Sequence, residues 1–404
     1  MNISKYTLIL LLLLLSIIAL LLNIKTNPYI RQLSSINGEI HSIASILPEY
    51  DHWEDLQFLK EKIQNKRIVV LGESTHYDGS TFEAKSRLIK FLHQELGFDI
   101  LAFEASQYDM WRLNNNKSLP EIEGLYNFWT QSNQIKELWR YLHEQDIDIA
   151  GFDIQSTGSY SDTLRRDSLF NYLTKFNINA IERWPQYYKV ASKLNHYLNP
   201  YTIKRERLDS IFHELDDIKA FLRSQPDVTA NNPYLSFVTD IRTWWECIYN
   251  YKVGDPKRFQ IRDSIMAHNI INLSNNPKYK DRKIILWMSN LHAFKSNSQF
   301  QNYFINTGER INKYFGDSIY TILFTSYASY NDSGQGNLYN VSRKNSLETL
   351  LHENKYPYAF ISNISNDACE ICRVNQGLTY SVRLGAITDG LFFIDTMNII
   401  SYGK

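Results

Sequence analysis

Glu73 and His76 stand three residues apart in LGESTHYDGSTFEAKSRLIKFL (71–92), directly after the apolar run RIVVLG (67–72). An imidazole with a near-neutral pKa can take a proton from water, and a carboxylate beside it can orient the ring and stabilise the imidazolium. Three further apolar runs carry polar groups at the same place. Glu104 closes DILAFE (99–104), Asp153 closes IDIAGFD (147–153), and KIILWMS (283–289) ends in Ser289 and is followed by Asn290 and His292. In an open parallel sheet, ligands bind in the crevice beyond the carboxyl ends of the strands, so a shared sheet would bring these distant residues to one edge.

The chemistry such a set can run is general acid–base hydrolysis. His76 is the candidate base, Glu73 its orienting partner, and Glu104 a group to position water or substrate. His292 is the second imidazole, for the leaving oxygen. Lys85 and Arg87, one helical stretch after His76, are candidates for charge on a developing oxyanion. Asp153, Ser289 and Asn290 complete the set as substrate contacts. Ser74 is not in a G-x-S-x-G elbow, which disfavours a serine nucleophile. Two histidines and two carboxylates are also suitable ligands for a divalent metal, but their spacing matches no familiar metal motif.

The elements that must position these residues follow from periodicity. Seven short apolar runs are expected as strands: the four above, SIYTILFT (318–325), PYAFIS (357–362) and GLFFID (390–395). Helical patterns lie between them. Phe82, Leu88, Phe91, Leu92 and Leu96 share one helix face, and Gly97 stops that helix. Short buried strands alternating with helices imply an α/β fold with a largely parallel central sheet flanked by helices. The third and fourth runs are separated by about 130 residues without a strand signal. There Leu208, Ile211, Phe212, Leu215, Ile218, Phe221 and Leu222 have helical spacing, so a helical insertion is expected over about 155–280. Its aromatics, Trp184, Tyr187, Tyr188, Trp244 and Trp245, read as core in preference to the lining of a cleft.

The ends and the composition bound the rest. Residues 6–24 carry no charge, a length sufficient for a membrane-spanning helix, which takes roughly 20 apolar residues. No A-x-A-like cleavage site follows. The expected organisation is a signal anchor over 1–25, a polar tether leading into a first helix over 26–50, and one α/β domain over 51–404 on the exported side of a membrane. The 404 residues balance 43 basic against 43 acidic side chains, which argues against nucleic acid as a partner. Cys369 and Cys372 form a single C-x-x-C pair without further zinc-spaced ligands, expected as a local disulfide or two free thiols.

LGESTH, the helix with Lys85 and Arg87, LAFEAS, GFDIQ, RDSIMAHNI and LWMSNLHAFKS, in this order and spacing, resemble the erythromycin esterase family over roughly residues 50–400. The resemblance implies an α/β fold with a helical insertion and hydrolysis of an ester or lactone, of macrolides in characterised members, without a cofactor. It matches His76 to the histidine that activates water, Glu73 to the glutamate of G-E-x-x-H, Glu104 to that of the F-E motif, and Lys85 to a basic residue important for activity. His292 matches the second histidine of a late H-N-x-H motif. Ser289 occupies the place of that motif's first histidine, and His268 is a candidate to replace it in space. The expectation is a membrane-anchored hydrolase acting on a small-molecule ester or lactone. The other readings of the same cleft are a metal-dependent hydrolase or peptidase, and an envelope protein that binds a ligand without catalysis.

Overall fold

The computed structural model describes residues 36, 38–155, 161–191, 203–300, 303–330, 338–339, 341–366, 369–375 and 377–403. The uncharged segment 6–24 and most of the expected tether lie outside them. Among the described residues no helix is long and apolar enough to cross a membrane.

All seven apolar runs form strands of one sheet. They are β2 (Ile68–Leu71), β3 (Phe98–Ser106), β4 (Asp148–Asp153), β5 (Lys283–Trp287), β6 (Ile319–Tyr330), β8 (Tyr358–Ser362) and β11 (Gly390–Met397). Two short strands join them, β1 (Glu39–Ser42) and β7 (Leu338–Tyr339), while β9 (Cys369–Asn375) and β10 (Leu378–Arg383) form a separate hairpin. The order across the sheet is β1-β8-β11-β6-β2-β5-β3-β4, with β7 added on β6. From β11 to β4 every neighbouring pair is parallel; β8, β1 and β7 pair antiparallel. The sheet is thus largely parallel, as the alternation of short buried runs with helices implies. Where the sequence reads as tether, residues 39–42 instead close one sheet edge, pairing with β8; the first described α-helix comes later, at Phe58–Ile63.

Both faces of the sheet are covered, which explains runs that are apolar without a break. Val69 and Leu71 of β2, with Ile285 and Trp287 of β5, face one core, shared with Phe82, Leu88, Phe91 and Leu92 of helix α1 (Gly79–Leu96). Ile68, Val70, Ile284 and Leu286 face the other, with Met266 and Ile270. Helix α1 ends at Gly97 in the left-handed conformation (φ 70°), which only glycine adopts without steric cost. Helix α2 (Gln107–Asn115) follows β3.

The insertion is helical. Its long helices are α3 (Arg205–Arg223), α4 (Pro233–Asn250) and α5 (Pro256–Asn275). Helices α4 and α5 start alike, with proline in the first turn and an Asn232 or Asp255 side chain accepting first-turn N–H bonds. A third apolar core, made mostly by the insertion, contains Leu208, Leu215, Trp184, Tyr187 and Trp245, with Tyr188 and Trp244 packed on it. These aromatics are core. The three cysteines are free; Cys369 is exposed and Cys372 buried, as residues three apart on a strand face opposite sides.

Candidate active site

Leaving β2, the chain turns through Glu73–Asp78 before α1 begins. Asp78 holds that turn: its carboxylate accepts from the Thr75 N–H (3.0 Å) and the Thr75 hydroxyl (2.9 Å). Gly72 is required at the exit, because a Cβ there would sit 2.1 Å from Asn290 Oδ1.

Glu73 is fully buried and uses both oxygens. Oε1 accepts from His76 Nδ1 at 2.7 Å. Oε2 accepts from Lys85 Nζ (2.8 Å) and Trp287 Nε1 (2.8 Å), and the Lys85 ammonium lies 4.0 Å above the Trp287 ring. A carboxylate at Nδ1 places the proton of a neutral imidazole there and leaves Nε2 as a lone pair. Nε2 has no hydrogen-bond partner among the described residues. The ring stacks on Phe128 (5.0 Å, 7°) and meets the edge of Trp129 (5.4 Å, 83°), and the side chain keeps 39% exposure. Burial lowers the His76 pKa, but the Glu73 hydrogen bond and the charges of Glu73 and Glu104 outweigh it, and the net direction is up from 6.5. Burial takes Lys85 down to about 8 against the pull of Glu73.

The second half of the site centres on Arg262, in the first turns of α5. Its Nε and Nη2 donate to the Asp153 carboxylate (3.0 and 2.6 Å), Nη2 also donates to Glu104 Oε1 (2.7 Å), and Nη1 donates to His292 Nε2 (3.0 Å). His292 Nδ1 in turn faces Asp263 Oδ1 (2.8 Å). The acceptor at Nε2 and the carboxylate at Nδ1 describe a neutral His292 protonated on Nδ1. Burial lowers its pKa, yet Asp263 and Glu104 bring the net direction upward. Glu104 Oε2 accepts from the Ser289 N–H (2.9 Å). Burial alone would raise the Glu104 pKa; the protonated form of His292, the Arg262 guanidinium and the protonated form of His76 hold it down to about 2.

The structure therefore brings together His76, Glu73, Lys85, Glu104, His292 and Asp153, and moves several of them to different tasks. Lys85 has no exposed surface and points at Glu73, so it holds the carboxylate instead of facing an oxyanion. Arg87 is outside the cluster. Two residues further along a helix is a rotation of about 200°, and its guanidinium instead pairs with Asp55 (2.7 and 2.9 Å) and donates to the carbonyls of Ser45, Tyr50 and His52. Asp153 is fully buried, and its oxygens are committed to Arg262 and to the N–H groups of Ile154 and Gln155, so it anchors the arginine. Asn290 is equally spent: its amide donates to the carbonyls of Phe324 (2.8 Å) and Val374 (2.7 Å), and its own N–H donates to the Glu73 carbonyl (2.7 Å). Ser289 enters through its backbone. His268 is exposed on α5, away from the group around Ser289.

Arg262, Asp263 and Trp287 are the residues that sequence reasoning left without a role. The first two open RDSIMAHNI and the third lies in KIILWMS, so the motifs contained them. The signal available was an adjacent Arg-Asp pair in the opening turns of a helix, which reads equally well as a solvated face.

The sequence profile of the erythromycin esterase family matches residues 93–384. The chain belongs to the erythromycin esterase family. Its similarity to individual proteins is more distant. It is 26% identical over 377 residues to the putative hydrolase YbfO of Bacillus subtilis (strain 168), covering 77% of this chain and 81% of that one. With the erythromycin esterase type II of Escherichia coli it shares 20% identity over 311 residues, 69% of this chain and 74% of the relative. A solved mutant erythromycin esterase in its open conformation has the same fold, with a TM-score of 0.67 at 14% identity over 91% of this chain and 99% of that one. Family membership suggests a hydrolase. The two-part cluster at the ends of β2, β3, β4 and β5 is the place in this fold to look for the chemistry.

Proposed function

We propose that this erythromycin esterase family member hydrolyses a carboxylic ester or lactone of a small molecule, using water activated at His76. The observation that carries the reading is the His76 ring: Nδ1 is committed to a buried carboxylate, and Nε2 is open beside a half-exposed face. Water bound at Nε2 gives its proton to the imidazole as its oxygen attacks the carbonyl carbon. The Glu73 carboxylate stabilises the imidazolium, and Lys85 with Trp287 keep Glu73 in place. The charge on the carbonyl oxygen falls to Arg262. Of the five N–H groups of a guanidinium, Asp153, Glu104 and His292 take four, which leaves one on Nη1 for the oxyanion. As the tetrahedral intermediate collapses, the proton on His76 Nε2 goes to the leaving alkoxide, so one imidazole serves both steps. His292 acts on Arg262, because its Nε2 faces the guanidinium and not the opening.

A metal centre built on the same residues is disfavoured by Arg262, whose positive charge already occupies the space between Glu104, Asp153 and His292. Export through an N-terminal anchor belongs to the same proposal and rests on the uncharged segment 6–24 alone. The test is turnover of a panel of aryl esters, lactones and macrolides by the full chain and by His76→Ala, with and without chelator. Chelator-resistant turnover that vanishes in the variant supports the reading. Turnover that survives the substitution removes His76 from the mechanism, and loss to chelator alone moves the case to a metal.

A further inference from the structure

Outside the edge strand β4 the insertion leaves a groove between α2, α4 and α5. One lobe has a volume of about 560 Å³ and the adjoining lobe about 250 Å³, and they share Gln107, Asn231, Ser236, Leu273 and Asn276. The groove adjoins the β4 end of the candidate site, close enough for the Asp153 charge to act on Asp240, but none of Glu73, His76, Glu104, Asp153, Arg262 and His292 lines either lobe.

Five of the fourteen residues lining the larger lobe are carboxamides. Gln107, Asn231, Asn269, Asn272 and Asn276 all face the larger lobe, with Asp240 among them. The side chains of Asn231 and Asn272 make no hydrogen bond with the described residues. Gln107 Nε2 donates to Asp240 Oδ2 (3.2 Å), and the Gln107 amide oxygen and the second Asp240 oxygen make no hydrogen bond among the described residues. A carboxamide carries a donor and an acceptor about one hydroxyl spacing apart, and matches a ligand whose every group is both. Arg223 lines the larger lobe as a cation, and burial raises the Asp240 pKa to about 8, so that at neutral pH its carboxyl is mostly an uncharged group that donates as well as accepts. At the smaller lobe stands Trp111, 37% exposed, its ring held by Tyr108 (5.8 Å) and Tyr234 (5.9 Å). A fixed, exposed indole offers an apolar face beside the hydrogen-bonding groups.

We propose that this groove binds a neutral oligosaccharide, whose hydroxyls pair with the carboxamides and Asp240 while one ring face packs on Trp111. An extended peptide is the competing occupant, since Ile149, Ala150 and Gly151 of the edge strand floor the smaller lobe. Side chains already fill that edge: Asn114 Oδ1 accepts from the Ile149 N–H (2.8 Å) and Asn269 Nδ2 donates to the Phe152 carbonyl (3.0 Å). A peptide would find few backbone groups to pair with, and strand addition depends on them. The site stands independently of the reaction at His76.

The experiment is calorimetric titration of the full chain with maltohexaose, cellohexaose, xylohexaose and chitohexaose, with an uncharged extended hexapeptide as control. Wild type, Trp111→Ala, Asn272→Ala and His76→Ala are compared after their melting curves are shown to coincide. Both groove positions are at the surface, so either variant carries the test if the other fails to fold. Saturable binding of at least one sugar, weakened about tenfold or more by the groove variants and unchanged by His76→Ala, is the expected result. Absence of saturation by every sugar, equal affinity in the groove variants, binding lost in His76→Ala, or preference for the peptide each overturns the proposal. Because His76→Ala is inert under the proposed function, failure here and failure of that reading are distinguished.

Discussion

At the scale of single residues, the site is a set of hydrogen bonds whose protons can be followed. In the proposed hydrolysis His76 must be neutral to accept a proton from water, so turnover is expected to rise with pH as the imidazole titrates. Glu73 and Glu104 move that titration up, so the acid limb of the kcat/KM profile is expected above 6.5. The alkaline limb belongs to Lys85. Loss of its proton near about 8 removes the cation that holds Glu73, and activity falls. Lys85→Arg keeps the charge without titrating in this range; it is expected to extend the plateau upward, and an unmoved alkaline limb would dissociate Lys85 from it. Trp287→Phe removes the other bond to Glu73 Oε2 while keeping an aromatic ring in the core. A hydrogen bond to a charged group contributes about 1.5–3 kcal/mol, so a fall of roughly tenfold or more in kcat is expected with little change in KM. Steady-state kinetics that show the reverse split would place Trp287 in substrate binding. At this scale the sequence was informative about His76, Glu73 and Glu104, whose positions at strand ends show in the pattern. It was uninformative about Asp153 and Asn290. A polar group at a strand end looks the same whether it meets a ligand or, like Asn290, meets two carbonyls of its own chain.

At the scale of elements, one helix explains two residues that spacing could not separate. Lys85 and Arg87 lie on opposite sides of α1; one supports the site and the other fastens the segment before it. Arg87→Ala leaves Asp55 without its partner, and breaking a buried pair costs about 3–5 kcal/mol. Chemical denaturation should show that loss, with kcat per folded molecule retained; Lys85→Ala should show the opposite emphasis. Gly72 is the matching test for the β2 exit. Gly72→Ala forces Asn290 to move, a strain of about 1–3 kcal/mol, and Asn290 holds the Glu73 carbonyl. Lowered stability and lowered kcat are expected together. The strands were legible where they are buried on both faces, because Ile68–Leu71 and Lys283–Trp287 admit almost no polar residue. EIHS (39–42) was not, being short and partly exposed, and the β9–β10 hairpin was hidden by its mixed, half-exposed strands. Their partners, not their own residues, make them strands.

At the scale of the whole molecule, the described residues form three apolar cores, two sharing the sheet and the third built mostly by the insertion. A core of its own lets a segment open without the rest. Hydrogen exchange is expected to find β2 and β5 the slowest to exchange and α3 and α4 distinctly faster. Exchange of all four at one rate would make the molecule a single cooperative unit. The insertion still matters to the site, since its last helix, α5, carries Arg262 into contact with Asp153 and Glu104. The fold class and the helical nature of the insertion could be read from periodicity. That α5 reaches back over the sheet could not, because helix packing is decided by shape between surfaces more than 100 residues apart in sequence.

The position of β2 has a consequence for how the protein comes into being. Its two neighbours are β5 and β6, which begin at Lys283 and Ile319. A chain leaving the ribosome completes β2 early and then waits for more than half its length before either flank exists. Through that interval this wholly apolar, fully buried strand has no sheet to join, and a helper that shields exposed chain would be most needed then. On the proposed mechanism the same delay keeps the nascent chain silent. Trp287, which steadies Glu73 from β5, is among the late arrivals, so the Glu73–His76 pair is fixed only once synthesis is well past its midpoint.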